Sequence, residues 1–140
     1  MLELAQQYDI AVEMHDGRHG RAYRAVPSRG RRARIWIPEI RGQISYLIAL
    51  HELGHIVSRG NRSMRQLEAE ADAWRWALEH SLVEPTQHSY GRLHSYLESY
   101  LHRAHARHVA GARIRAAIPP PESTYWALLS EFAVRAELAA

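Results

Sequence analysis

Two histidines stand four residues apart in an apolar stretch of the chain, within the pentad His51-Glu52-Leu53-Gly54-His55. On a helix this spacing places both imidazoles on one face, about one turn apart, so that both can bind the same ion. Two ring nitrogens satisfy half of a tetrahedral zinc ion, and a catalytic site needs one further protein ligand and one water. Glu52 projects from the same turn and can accept a proton from that water. The pentad therefore indicates a zinc site with hydrolytic chemistry.

The third ligand is expected from a second predicted helix, which is rich in alanine and acidic residues. Glu68 and Asp72 share a helical face, whereas Glu70 lies roughly opposite them. We interpret Glu68 as the ligand and Asp72 as the residue that orients a histidine through its second ring nitrogen. Glu70 is the alternative third ligand. Trp74 and Trp76 flank these acids, which favours a buried wall beside the site.

The two segments together resemble the ImmA/IrrE family of zinc metallopeptidases. The family pattern is H-E-[LI]-G-H followed by E-x-E-A-[ND]-x-F-A, and this chain has the pentad at 51–55 followed by EAEADAW at 68–74. The segment Arg34–Pro38 also resembles an edge strand of the family. The resemblance covers residues 5 to 82, a little over half of the chain.

Carried over position by position, the resemblance implies that zinc is bound by His51, His55 and Glu68, with Glu52 as the catalytic base. The implied activity is that of a zinc endopeptidase acting on a cytoplasmic protein, such as a phage or stress-response repressor. A second function stays open, in which a catalytically silent regulator keeps the metal and binds a transcription factor through the helix pair.

A peptidase also needs a hydrogen-bond donor that steadies the negative oxygen of the tetrahedral intermediate. Three side chains near the start of the helix predicted at 86–108 are candidates, namely His88, Tyr90 and His94. The sequence does not choose among them.

Composition limits the other functions. The 140 residues are 46% hydrophobic and 24% charged, which is typical of a globular domain. The chain contains no apolar run of the roughly 18 residues that span a bilayer and no visible secretory signal, so we expect a cytoplasmic protein. Because cysteine is absent, a metal site must be built from histidine and carboxylate.

The net charge is +3, and all 18 basic residues are arginines, several of them between Arg18 and Arg34. Such a cluster can bind phosphates, but no helix-turn-helix signature or aromatic-basic repeat accompanies it. We therefore expect a protein or peptide substrate and no nucleic acid.

The strand and helix patterns around these residues predict an α+β fold. Strand patterns at 10–14, 21–26 and 34–37, joined by turns, predict a small antiparallel three-stranded sheet whose third strand is the edge that an extended peptide could join. Helices are predicted at 2–8, 40–59, 65–81, 86–108 and from 122 onwards.

This arrangement is zincin-like: the sheet lies beside a metal-binding helix pair, and two further helices follow at the C-terminal end. We divide the chain into a minimal metallopeptidase core, 1–85, and a helical extension, 86–140. The last helix carries too much apolar surface to stay exposed. It is expected to pack on the same domain or on a second copy of the chain.

Overall fold

The computed structural model describes residues 1–58, 65–111 and 118–138, in which five helices accompany a three-stranded sheet. The predicted α+β class, with two C-terminal helices, is confirmed. No helix in these ranges is long and apolar enough to cross a membrane. In chain order the elements are α1 Leu2–Gln7, β1 Ala11–His15, β2 Arg21–Tyr23, a 3-10 turn at Pro27–Arg29, β3 Arg34–Pro38, α2 Gln43–Val57, α3 Gln66–His80, α4 Gln87–Val109 and α5 Thr124–Arg135.

The sheet is mixed rather than wholly antiparallel, with the strand order β1-β3-β2. Ala22 of β2 lies opposite Ile35 in an antiparallel pair, whereas Val12 of β1 lies opposite the same residue in a parallel pair. The predicted pairing was therefore wrong for β1, and β3 is the central strand instead of the edge. Ile35 and Ile37 are fully buried, which explains why β3 takes the centre and the three-residue β2 takes an edge.

Helices α2 and α3 form the predicted helix pair, and a glycine lets them approach closely. A Cβ atom built on Gly54 would lie 2.6 Å from the carbonyl oxygen of Ala73 and 3.1 Å from its Cα. Both residues are buried. Backbone therefore meets backbone at this crossing, which sets how near the side chains of α3 come to the histidines of α2.

The two C-terminal helices cover the pair from the same chain. Thr86 caps α4, where its hydroxyl accepts a hydrogen bond from the backbone N–H of Ser89 at 3.1 Å. On α5, Tyr125 is fully buried and its hydroxyl donates to the carbonyl of Leu97 at 2.6 Å. α5 contacts both α3 and α4. In the structure, the last helix therefore packs on its own chain.

The close crossing predicts that Gly54→Ala destabilises the protein. The added methyl group meets backbone that cannot rotate away, and overpacking of this kind costs about 1–3 kcal/mol. Thermal unfolding measures the loss. Gly91→Ala in α4 is the matched control, because a Cβ there meets only the Ala136 side chain at 3.9 Å. The control should be neutral or slightly stabilising, since alanine is the better helix former. Equal melting temperatures for the two variants would contradict the crossing described here.

Candidate metal centre

Three side chains from the helix pair converge on one point. His51 and His55 project from the same face of α2, and Glu70 projects towards them from α3. Oε2 of Glu70 lies 2.7 Å from Nε2 of His51 and 3.2 Å from Nε2 of His55. The three ligand atoms lie within 4.8 Å of one another, so this group could hold a metal ion.

Glu70, and not Glu68, is the carboxylate that reaches the histidines. The buried residues of α3 form one stripe, which includes Leu67, Ala71, Trp74 and Ala77. Glu70 falls within that stripe and therefore faces α2, whereas Glu68 is rotated from Glu70 by about 200°. The structure does not bring Glu68, the predicted third ligand, to this group. That prediction rested on the face that Glu68 shares with Asp72, and not on the face of α3 that packs against α2. The alternative, Glu70, is the one the structure brings to the site.

Asp72 also lies away from the position predicted for it. It borders a surface cleft beside Val57, Ser58 and Arg75. Its Oδ2 atom is buried and has no hydrogen-bond partner among the described residues. Asp72 therefore does not orient either histidine, since two residues along a helix separate it from Glu70 by about 200°.

Glu52 takes the orienting position that had been assigned to Asp72. Its Oε1 atom lies 3.3 Å from Nδ1 of His51, on the side of the ring opposite Glu70. A proton on Nδ1 that faces Glu52 leaves the lone pair of Nε2 free for a metal. Trp74 stacks on the same ring at 4.1 Å, and Tyr96 of α4 lies parallel to Trp74 at 6.0 Å. Glu52 thus holds the edge of the His51 ring, and Trp74 packs against one of its faces.

The carboxylates change the proton affinity of the metal-free site. Burial disfavours the charged ring of His51, but the charges and hydrogen bonds of Glu70 and Glu52 outweigh it and raise its pKa to about 9. Burial likewise opposes the charge of Glu70, and the two histidines overcome it and hold the pKa of Glu70 well below its usual range. Without metal, the site therefore pairs a charged His51 imidazolium with the carboxylate of Glu70. The positive charge of the ring then offsets the charge of Glu70, as a bound metal ion would.

These donors fit a zinc ion. Atoms bound to zinc at about 2.0–2.1 Å lie roughly 3.3 Å from one another in a tetrahedron, near the 2.7 and 3.2 Å that separate Oε2 of Glu70 from the two ring nitrogens. The side chains of Glu70 and His55 are 16% and 23% exposed, which leaves the group open to solvent on one side. Two imidazoles and one carboxylate with an open position form the ligand set of catalytic zinc sites of the His₂Glu type.

None of the three predicted oxyanion donors is seen at this group. The hydroxyl of Tyr90 donates to Glu84 at 2.9 Å, and Nδ1 of His94 lies 3.0 Å from Glu98. His88 is exposed beside α5, where it borders a shallow depression with Leu138.

A different hydroxyl group from α4, that of Tyr100, lies near enough for the carboxylates of the site to affect it. Burial and the negative charges of Glu70 and Glu52 raise the pKa of Tyr100 well above its usual range, so its phenol keeps its proton. No sequence motif singles out Tyr100. Its position four residues after Tyr96, which stacks on Trp74, is the signal that would have pointed to the site, once the helix packing was known.

Comparisons with known proteins assign no family to the chain: no family model matches it, and no curated protein or solved structure is similar enough to count as a match. The resemblance to ImmA/IrrE peptidases therefore stays a prediction. The convergence of His51, His55 and Glu70, with Glu52 beside them, is the observation from which a function can be inferred.

Glutamine variants of the two glutamates separate the ligand sets. Glu70→Gln should weaken zinc binding by about 100-fold or more, because changes that only surround a ligand already cost roughly 10- to 100-fold. Glu68→Gln has the same chemistry on the other face of α3 and should leave the affinity unchanged. Calorimetric titration with zinc measures both. A larger loss for Glu68→Gln would contradict the assignment of Glu70.

The metal-free protein should lose stability in alkali. The pKa of His51 rises on folding from 6.5 to about 9, so its charged form contributes stability that is fully present below pH 6.5 and is lost as the pH passes 9. Glu70 contributes above its ordinary pKa of 4.5 and loses its contribution in acid. Unfolding by denaturant, with a chelator present, measures the profile. Glu70→Gln should flatten it; a wild-type profile that rises between pH 6.5 and 9 would contradict the coupling.

Proposed function

We propose that this protein is a zinc-dependent endopeptidase, as the resemblance to the ImmA/IrrE metallopeptidases implies. The observation that supports the proposal is the convergence of two histidines and Glu70 with a glutamate, Glu52, in the next position along the chain from His51. A structural metal site would need four closed ligands. Three protein ligands leave a coordination position for water, and a neighbouring carboxylate can act as the base, as metal-assisted hydrolysis requires.

A zinc ion held by this group would supply Lewis-acid chemistry, which lowers the pKa of a water molecule to about 7. Glu52 accepts the proton of that water and later passes it to the leaving nitrogen of the substrate. Glu70 and the two histidines hold the ion, and Trp74 excludes water from one face of His51. The phenol of Tyr100 keeps its proton under the influence of Glu70 and Glu52, and we propose it as the donor that stabilises the negative oxygen of the intermediate.

The substrate would bind as an extended peptide along β2. This strand is an edge of the sheet in the described part of the chain, and it lies beside the pentad. Gly20 at its start contacts Glu52, and Arg24 just after it donates to the carbonyl of His55 at 3.3 Å. An extended peptide can add to such an edge through main-chain hydrogen bonds. β2 thus replaces β3, the strand predicted from sequence, as the substrate-binding edge.

The proposed substrate is a cytoplasmic regulator, such as a phage or stress-response repressor, and the resemblance alone supports this choice. The arginine cluster does not favour nucleic acid instead. Arg32 pairs with Asp9 at 2.8 Å, and Arg34 pairs with Glu13 at 3.3 Å. Intramolecular carboxylates thus neutralise part of the cluster.

One observation favours the second candidate, a silent regulator that binds a transcription factor. His51 and Glu52 are only 4% and 7% exposed, so the proposed base is closed to solvent in this conformation. A protein that used the helix pair only for binding would keep such a closed site. Catalysis requires that substrate reach Glu52 through the side where His55 and Glu70 are partly exposed.

Comparing wild type with Glu52→Gln separates the two functions. The substitution keeps the size of the side chain and removes its capacity as a base, which should lower the rate of cleavage by about 100-fold or more. Quantitative proteomics of the N-terminal peptides in cells that express each form identifies the cleaved proteins. The peptidase proposal expects new N-termini in wild type alone. Identical N-termini in both, with zinc bound to both, would favour the silent regulator.

A further inference from the structure

The turn between β1 and β2 ends at Gly20, whose backbone lies directly against the side chain of Glu52. A Cβ atom built on Gly20 would be 2.7 Å from Cγ of Glu52 and 3.0 Å from both Cδ and Oε1. Non-bonded carbon atoms prefer separations of about 3.5–4.0 Å. Any side chain at this position would therefore occupy space that the carboxyl group of Glu52 now fills.

Backbone conformation does not explain the glycine. In the described residues, the glycines with positive φ are Gly30 and Gly111, and Gly20 is not among them. Its backbone is therefore open to any L-amino acid. What excludes a side chain at position 20 is the contact with Glu52.

Glu52 has little room to yield. It is 7% exposed, and its Oε1 atom faces Nδ1 of His51 at 3.3 Å. The next two residues of α2, Leu53 and Gly54, are buried, and Gly54 lies against the backbone of α3. The carboxylate is thus held between the ring of His51 on one side and the backbone of Gly20 on the other.

We propose that Gly20 is a positioning residue, whose missing side chain sets where the carboxylate of Glu52 lies relative to the two histidines. The consequence for catalysis rests on the proposed peptidase function. A general base must come within about 2.6–3.2 Å of the proton that it accepts. A misplacement of about 1 Å can cost roughly 100-fold in rate.

A double-mutant cycle on metal-free protein tests the contact itself. Gly20→Ala should lower the melting temperature of wild type by about 3–8 °C, as expected for overpacking in a domain of this size. The loss should persist in Glu52→Gln, which keeps Cγ and Cδ. It should largely disappear in Glu52→Ala, which lacks them. An equal loss in Glu52→Ala would overturn the proposal.

Gly17→Ala is the matched control in the same turn. A Cβ there would meet the ring of His15, at 2.8 Å from Nδ1, and not Glu52. Its effect on the melting temperature should therefore be the same in wild type and in Glu52→Ala. A dependence of Gly17→Ala on the residue at position 52 as strong as that of Gly20→Ala would overturn the assignment of a direct contact.

Zinc binding and turnover separate positioning from a general structural role. Gly20→Ala should weaken zinc binding by no more than about 10-fold, because the added methyl group meets Glu52, which only orients His51, and none of the three ligands. On a protein that wild type cleaves and Glu52→Gln does not, it should lower kcat by about 10- to 100-fold with little change in KM. Zinc binding weakened by about 100-fold or more, as for the loss of a ligand, or an unchanged kcat, would overturn the proposal. If no such protein exists, the peptidase function fails, and the double-mutant cycle still decides the role of Gly20.

Discussion

The interaction on which the rest of the structure depends joins a mostly buried carboxylate, at the meeting of two helices, to two imidazoles. Oε2 of Glu70 is within 3.2 Å of ring nitrogens from both His51 and His55. An unpaired charge at such a depth would cost several kcal/mol. The neighbouring imidazoles offset that cost, either by holding a proton or by sharing a cation with the carboxylate. The close approach of Gly54 and Ala73 makes this contact possible, since the two backbones could not come together around a side chain.

Much of the fold could be predicted from sequence, because helical periodicity and capping residues are local signals. The start of α4 at Thr86 and the apolar face of α5 follow from such signals, and the structure confirms both. Sheet pairing is not local. The apolar residues Ile35 and Ile37 place β3 at the centre, but nothing within β1 shows that it pairs in parallel with a strand some twenty residues away.

The residues of the site likewise differ in whether local sequence signals identify them. The pair His51 and His55 could be assigned because one turn of one helix defines it. The third ligand could not be assigned from the spacing of the acids, since Glu68 and Asp72 share a face that packs away from the histidines. Glu70 could have been preferred from its place among the buried residues of α3. Contacts from distant segments, such as that of Gly20 with Glu52, depend on tertiary packing and leave no pattern in the sequence.

A crystal structure of the zinc-loaded protein, with anomalous scattering measured at the zinc edge, tests the central claim most directly. We predict one strong anomalous peak bound by Nε2 of His51, Nε2 of His55 and the carboxylate of Glu70, each at about 2.0–2.1 Å. A peak elsewhere in the molecule, or a zinc ion at the histidines with Glu70 turned away from it, would contradict this account.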